Sequence, residues 1–182
     1  TIDLGSGEME VYHQHEETSW RVTLADTGLN VMTGARVKRI QPYVGDNPFM
    51  LTYGDGVSNI DIAKLLEFHK SHGKLATMTV VRPPARFGAV IMHGENVTRF
   101  EEKPQIGEGW INGGFFVLEP EVIDYIQGDQ TVWEREPVEH LASDGQLMAY
   151  RHDDFWQCMD TLRDLRALEG LWQANQAPWK VW

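Results

Sequence analysis

The sequence has little cysteine, few basic residues and no long apolar run. Its 182 residues include a single cysteine, Cys158, which excludes an internal disulfide and is typical of the reducing cytoplasm. No apolar stretch reaches the length of about 20 residues that a membrane-spanning helix needs. The first residues, 1–5, show neither the basic nor the apolar part of a signal peptide. We therefore expect a cytoplasmic protein without a membrane segment.

The shortage of positive charge restricts the partners. Lys and Arg number 16 against 27 Asp and Glu, and the formal net charge is -11. Non-specific nucleic-acid binding needs clustered basic residues that displace counterions, so we expect no nucleic-acid partner. A net negative surface also repels phosphates at long range. Any phosphate chemistry would then depend on a few placed cations and a metal ion. The net charge alone is equally compatible with an acidic enzyme that has no special electrostatics.

Strand and helix signals alternate along the chain. The apolar run 49–53 predicts a buried strand, and the β-branched run 76–81 predicts a second one that stops at two prolines. Between them, apolar residues at helical spacing predict a helix that Ser58 caps and Gly73 ends. Such a strand–helix–strand unit usually forms a parallel pair with a right-handed crossover.

The second half continues this alternation. Residues 89–93 and 97–101 flank a glycine turn and predict a hairpin. Further strands are predicted at 113–118 and 147–151. Between these two strands, Pro120 suits a helix start, and a capping box precedes another helix at 137–142; the box is formed by Thr131 and Glu134. A last helix is predicted at about 161–174, with four side chains directed inward: Leu162, Leu165, Leu168 and Trp172.

These signals predict one α/β domain over residues 1–182, with a mixed, mainly parallel sheet and helices on both faces. The front of the sequence does not fit the usual beginning of a nucleotide-binding domain. Such a domain opens with a strand and a Gly-rich loop that binds phosphates at a helix N-terminus. No such loop occurs here. Either the protein is not a nucleotide enzyme, or the first part of the domain is missing from this sequence.

Two aspartates are candidate metal ligands. Asp55 follows the first predicted strand, at the kind of strand end where open α/β sheets bind ligands. Asp160 directly precedes the last helix. Mg²⁺ takes one or two carboxylates together with phosphate oxygens, so we expect both carboxylates within reach of one ion. The ordinary alternatives are an Asp–Gly turn for Asp55 and a helix cap for Asp160.

Lys103 and Glu102, at the end of the predicted hairpin, are candidate substrate contacts. The Lys103 ammonium could bind a phosphate, and the Glu102 carboxylate could accept hydrogen bonds from sugar hydroxyls. The alternative is a charged strand end that is simply exposed to solvent. Asn112 opens the next strand, and the glycine pair after it allows either close approach of a ligand or a bulge.

Two arginine-containing segments are further candidates. Residues 33–36, Thr-Gly-Ala-Arg, read as a polar loop whose Thr33 and Arg36 suit a base edge or phosphate oxygens. Arg86 is a second candidate cation, or simply a loop arginine. Neither pattern is specific by itself.

Together, in their order along the chain, these stretches resemble the sugar-phosphate nucleotidyltransferases, and the similarity covers essentially all of the chain. The motifs are Tyr-Gly-Asp-Gly, Arg-Phe-Gly, Glu-Lys-Pro, Asn-Gly-Gly-Phe-Phe and Trp-x-x-Met-Asp-Thr. Four segments resemble the members that use CTP rather than UTP or dTTP: 26–28, 32–34, 159–164 and 177–180. The family's Gly-rich loop has no counterpart here, so the chain is expected to be the C-terminal portion of the family's single domain.

The resemblance implies that CTP and α-D-glucose 1-phosphate react to CDP-glucose and pyrophosphate, for dideoxysugars of the O-antigen of lipopolysaccharide. It implies Mg²⁺ at Asp55 and Asp160, a symmetric homo-oligomer, and no protein nucleophile. Catalytic roles fall on Asp55, Lys103 and Asp160. Substrate contacts fall on Thr33, Arg36, Tyr53, Gly54, Glu102, Lys103, Asn112 and Gly113. The alternatives are a UTP- or dTTP-dependent enzyme of the family, or a non-catalytic fragment that binds sugar nucleotides.

Overall fold

The computed structural model of the chain describes residues 5–6, 21–83, 89–101 and 109–181. No helix in this described part is long and apolar enough to cross a membrane. The helices are α1 (Thr33–Arg39), α2 (Gln41–Val44), α3 (Ile62–His72), a 3-10 helix (Pro120–Tyr125), α4 (Glu136–Ser143) and α5 (Leu162–Gln173). The strands are β1 (Phe49–Thr52), β2 (Gly56–Ser58), β3 (Ala76–Val81), β4 (Ala89–His93), β5 (Asn96–Glu101), β6 (Ile111–Leu118), β7 (Leu147–His152) and β8 (Trp156–Cys158).

The central sheet has four strands in the order β1-β6-β3-β7. Strand β6 is antiparallel to both of its neighbours, and β3 is parallel to β7. Strands β1, β3 and β7 therefore run in one direction and β6 runs against them, which confirms the mixed sheet. The prediction of β1 and β3 as a neighbouring pair was wrong, because β6 lies between them and takes the hydrogen bonds of both.

Helices cover both faces of this sheet, as predicted. Because side chains alternate along a strand, Val117 of β6 packs on one face with Leu65 of α3, whereas Phe116 packs on the other face. The core on that second face is larger. It includes residues of α1, the 3-10 helix and α4, together with Trp133 from the segment before α4: Val37, Val122, Ile123, Leu141 and Trp133.

Two small sheets accompany the central one. Strands β4 and β5 form the predicted hairpin, with Gly94 in the left-handed conformation at φ 62°. Strands β2 and β8 pair antiparallel. The sequence signals did not predict either of these strands, because each has only three residues.

The start of α3 differs from the prediction. Asp61 is the N-cap, and its side chain accepts a hydrogen bond from the backbone N–H of Lys64. Ser58 lies in β2 instead, where its hydroxyl donates to the carbonyl of Phe155 at 2.7 Å. The predicted end of the helix is confirmed, because Gly73 adopts the left-handed conformation that stops it.

Two expectations about residues 33–36 and 131–134 were wrong. Residues 33–36 are the first turn of α1 rather than a loop. Thr131 and Glu134 form no capping box, since α4 begins after Arg135, whose side chain makes no cap. Glu134 instead accepts a hydrogen bond from the Thr33 hydroxyl at 3.0 Å, a contact between parts of the chain that lie far apart in sequence.

The last helix is present, but its apolar face is only partly buried. Thr161 and Asp164 form a capping box at its start. Leu168 is buried, whereas Leu162 is 59% exposed and Trp172 is 46% exposed, so their predicted inward orientation was wrong. Leu165 is half-buried, so within the described part the apolar face of this helix is covered fully only at Leu168.

Candidate active site

The short β2–β8 sheet brings Asp55 and Asp160 to the same end of two strands. Gly56 lies opposite Cys158 in this pair, and one residue further the N–H of Met159 donates to the carbonyl of Asp55 at 2.8 Å. Asp55 precedes the first strand of the pair and Asp160 follows the second. Both line one cavity of about 730 Å³, within the usual range of small-molecule sites.

The wall of this cavity comes from three parts of the fold. Tyr53 follows the carboxyl end of β1, and residues 112–114 begin β6. The third part runs from β8 into α5 and includes Trp156, the first residue of the strand, and Thr161, which precedes the helix. The central strands thus meet the small sheet here, which places polar groups around a pocket with a largely apolar lining.

The glycine pair of β6 makes room for protein side chains. A Cβ on Gly114, which has φ 79°, would lie 2.7 Å from the Tyr53 ring, and a Cβ on Gly113 would lie 2.8 Å from Val81. The register between β3 and β6 shifts across this stretch, so a bulge, the ordinary alternative, is present. The indole N–H of Trp156 donates to the carbonyl of Gly113 at 2.8 Å and closes the pocket beside it.

Asn112 and Tyr53 are held in defined orientations at the wall. The backbone N–H of Gly114 donates to Oδ1 of Asn112 at 2.8 Å, which identifies that atom as the amide oxygen. The Asn112 amide nitrogen donates to the Tyr53 hydroxyl at 2.9 Å. Tyr53 is therefore an acceptor in this contact, and its own proton is directed elsewhere.

Glu134 is the charged side chain that most affects the Tyr53 phenol. Burial, followed by the hydrogen bond to Glu134 and the charge of that carboxylate, raises the pKa of the Tyr53 phenol well above its usual range. The phenol therefore keeps its proton at neutral pH, and the Glu134 carboxylate accepts a hydrogen bond from the Thr33 hydroxyl. The sequence patterns placed Glu134 in a helix cap and did not predict its contact with Thr33. No local spacing could have indicated it, because Thr33 lies 101 residues away.

The other predicted substrate contacts lie away from the cavity or outside the described residues. Arg36 donates to the Thr27 hydroxyl at 2.8 Å and to the Leu29 carbonyl at 3.4 Å, so it holds the segment before α1. At Gly54, no atom lies within 4 Å of the position that a Cβ would occupy. Glu102, Lys103 and Arg86 lie outside the residues that the structure describes.

The acidic residues of the cavity fit Mg²⁺ that arrives with a phosphate ligand. In the described part of the chain, no three His, Cys, Asp or Glu side chains group closely enough to hold a metal ion by themselves. Asp55 and Asp160 supply carboxylate oxygens at one cavity, and Oδ2 of Asp160 also accepts from Cys158 Sγ at 3.2 Å. Two carboxylates completed by phosphate oxygens and water are a common arrangement for Mg²⁺.

Comparison with known proteins gives the same picture at the level of the family. The sequence profile described as Nucleotidyl transferase matches residues 10–177. Glucose-1-phosphate cytidylyltransferase of Salmonella typhimurium is 52% identical over 183 aligned residues, which cover 100% of this chain and 71% of that protein.

Solved structures agree with the fold. HddC from Yersinia pseudotuberculosis superposes with a TM-score of 0.57 at 22% identity, over 76% of this chain and 61% of that chain. The inositol-1-phosphate CTP transferase from T. maritima superposes with a TM-score of 0.56 at 13% identity, over 84% of this chain and 64% of that chain. At these identities the likeness supports the Rossmann-like α/β fold alone.

Proposed function

Because the chain belongs to the nucleotidyl transferase family, we propose that it transfers a cytidylyl group from CTP to α-D-glucose 1-phosphate. The products are CDP-glucose and pyrophosphate. The observation that carries the proposal is the 52% identity, over the whole chain, to a protein named for this reaction. The cavity supports it, because carboxylates and an oriented amide converge there on a space of small-molecule size.

The reaction needs positioning more than covalent catalysis. A phosphate oxygen of glucose 1-phosphate attacks the α-phosphorus of CTP, and the bond from that phosphorus to pyrophosphate breaks in line. Asp55 and Asp160 would hold Mg²⁺, which supplies neutralisation of the phosphate charge when bound. Lys103 would add a local cation beside the sugar phosphate, where two carboxylates otherwise repel it.

The sugar phosphate belongs, in this proposal, against Tyr53, Asn112 and Gly113, with Glu102 on its hydroxyls. The nucleotide belongs on the side of α1. Thr33 and Arg36 would contribute there by ordering the residues around them, since their polar groups bond Glu134 and the segment 27–29.

The same proposal extends to the pathway, the cellular compartment and the oligomeric state. CDP-glucose from this enzyme would feed the dideoxysugars of surface O-antigen. The enzyme would act in the cytoplasm, where a single cysteine stays reduced. It would work as a homo-oligomer, the usual form of soluble assemblies.

The direct test is pyrophosphate release by the full chain with glucose 1-phosphate, Mg²⁺ and either CTP, UTP or dTTP. We expect release with CTP and little with the other two nucleotides, and loss of all release when EDTA removes the metal. Preference for UTP or dTTP would favour the alternative donor. Binding of CDP-glucose without any release would favour a non-catalytic sugar-nucleotide-binding chain.

A further inference from the structure

Two arginine side chains lie against one tryptophan at an end of the central sheet. Cζ of Arg82 lies 4.6 Å from the centroid of the Trp110 ring, and Cζ of Arg151 lies 5.6 Å from it. Both distances are within about 6 Å, the range in which the face of an aromatic ring attracts a cation. One indole therefore holds two guanidinium groups, in a protein whose formal net charge is -11.

The pairing of three strands explains why these side chains meet. Strand β6 begins opposite the last residue of β3, so Arg82 and Trp110, one residue further outward, also lie opposite each other. Arg151 of β7 lies opposite Val80 of β3 in parallel register. Paired residues share a face of the sheet, and so do residues two apart in a strand. Arg82 and Arg151 therefore extend from the same face.

This cluster lies at the end of the sheet that carries the candidate active site. It is at the carboxyl ends of the parallel strands β3 and β7, where open α/β sheets bind ligands. Pro83 and Ile111, the chain neighbours of Arg82 and Trp110, line the cavity. The two cavity aspartates flank the β2–β8 sheet instead. The arginines are thus a second, oppositely charged group near the same cavity.

Neither guanidinium has an acidic partner among the residues that the structure describes. The ion pairs found there belong to Arg39, Lys64 and His69, and neither Arg82 nor Arg151 forms a hydrogen bond in addition to its ring contact. Nε of Arg82 is buried and has no partner in this part of the chain. A buried donor without an acceptor destabilises a fold and is characteristic of functional positions.

The unused donors define the ligand as an oxyanion. Each guanidinium has five N–H donors and no acceptor, and one that is held against an aromatic ring keeps its edge for a carboxylate or a phosphate. A phosphate monoester carries a charge of about -1.5 to -2 near neutral pH. This charge matches two guanidinium groups better than the single charge of a carboxylate does.

We propose that Arg82 and Arg151, held by Trp110, form a phosphate-binding site beside the cavity, separate from the metal site proposed at Asp55 and Asp160. Two sources supply this chemistry: free pyrophosphate and the phosphate of a sugar phosphate. Their place in a reaction rests on the proposed function. The binding itself does not, because it follows from the positions of the two arginines.

The first test measures binding without turnover. In the ¹⁵N-labelled full chain, the indole N–H signal of Trp110 is assigned by its loss in Trp110→Phe. Sodium pyrophosphate is then added in metal-free buffer at constant ionic strength. The Trp110 signal should shift and reach saturation. A signal that does not respond, or that drifts without saturating, would overturn the proposal.

Glutamine variants identify the groups responsible. Arg82→Gln and Arg151→Gln should each weaken pyrophosphate binding by about tenfold or more, as expected when a charge-assisted hydrogen bond is lost. Arg166→Gln removes the same charge from an exposed position of α5 and should change the affinity little. Equal weakening in all three variants would show that net charge, rather than the cluster, attracts the anion.

Arg151→Gln decides the matter if the half-buried Arg82 cannot be replaced without unfolding. Arg151 is exposed, so its replacement leaves the packing of the sheet in place. Unchanged pyrophosphate affinity in folded Arg151→Gln would contradict a site that needs both arginines.

A titration with glucose 1-phosphate in place of pyrophosphate distinguishes the two sources. A lower Kd for glucose 1-phosphate assigns the site to the sugar phosphate, and a lower Kd for pyrophosphate assigns it to the free anion. The site also stands apart from the proposed function. If no nucleotide gives pyrophosphate release, the proposed function fails while the Trp110 signal still decides the site. If turnover is normal and the signal does not respond, the proposed function stands and the phosphate site is lost.

Discussion

Nε2 of His72 lies 2.7 Å from Oγ1 of Thr77, and this bond has a definite direction. The backbone N–H of Lys74 donates to the other ring nitrogen of His72 at 2.9 Å. A neutral His72 must therefore carry its proton on Nε2 and donate it to Thr77. Thr77 in turn contacts Nδ1 of the buried His69 at 2.8 Å. Protonation of His72 would place two donors face to face at Lys74.

We expect the stability of the protein to fall at acid pH because of His72. Burial, and then the nearby His69 and Lys74, hold the pKa of His72 below its ordinary value of 6.5. The unfolded chain consequently binds this proton more readily, so the free energy of unfolding decreases as the pH falls below about 6.5. Above that pH, His72 is neutral in both states and contributes no further change.

The measurement is urea unfolding of the unmodified chain and His72→Gln at neutral pH and about one to two units lower. The glutamine can still donate to Thr77 but does not titrate, so its loss of stability with acid should be smaller. His140→Gln, at an exposed position of α4, serves as control and should keep the original pH dependence. Equal dependence in all three chains would show that His72 is not responsible.

If Asp55 and Asp160 hold Mg²⁺, replacing either of them should greatly lower the rate of the reaction. Asp55→Asn or Asp160→Asn should lower pyrophosphate release by about 100-fold or more, the order seen when an electrostatic contact to the reacting group is removed. The Mg²⁺ concentration for half-maximal rate should rise as well. Asp153→Asn changes an exposed carboxylate of the loop after β7 and should have little effect. A similar loss in all three variants would point to net charge rather than to a metal site.

Gly114 and Gly170 form a matched pair for stability. Gly114→Ala should destabilise the fold by about 1–3 kcal/mol, since φ is 79° and the new Cβ would lie 2.7 Å from the Tyr53 ring. Gly170 lies inside α5 with nothing within 4 Å of its Cβ position. Gly170→Ala should therefore stabilise by about 0.5–1 kcal/mol through helix propensity. Thermal unfolding of both variants checks the opposite signs, and equal shifts would contradict the packing argument.

Lys103 should distinguish the two substrates. Lys103→Ala removes the cation proposed beside the sugar phosphate, so KM for glucose 1-phosphate should increase by more than tenfold, since charged hydrogen bonds contribute about 1.5–3 kcal/mol. KM for CTP should change much less. An equal loss for both substrates would indicate a folding defect, which circular dichroism of the variant would detect.

Local patterns predicted the parts of the fold that local chemistry decides. Strand β3 was predicted with the bounds Ala76–Val81 that the structure has, because its β-branched run ends at two prolines. Gly73 was predicted as the end of α3 for the same kind of reason. The insertion of β6 between β1 and β3 could not be read in this way, since it depends on hydrogen bonds between distant strands.

The candidate site shows the same division. Asp55 was singled out because it follows a recognisable strand, and Asp160 because it directly precedes a helix. Both line the cavity, while their metal role stays a prediction. Glu134 was assigned to a cap from its spacing to Thr131, yet its hydroxyl donor is Thr33. A side chain whose partners come from other elements has no signature in its own neighbourhood.

The position of β6 also has a consequence for how the chain assembles during synthesis. Strands β1 and β3 emerge first, but they cannot pair with each other in the final register, because β6 occupies the place between them. They must end about 10 Å apart, two inter-strand spacings, with a gap that only a later segment fills. Until Ile111–Leu118 arrives, each presents an unpaired edge open to other chains. Folding should accordingly be slow for a chain of this size, since its central step closes a long loop.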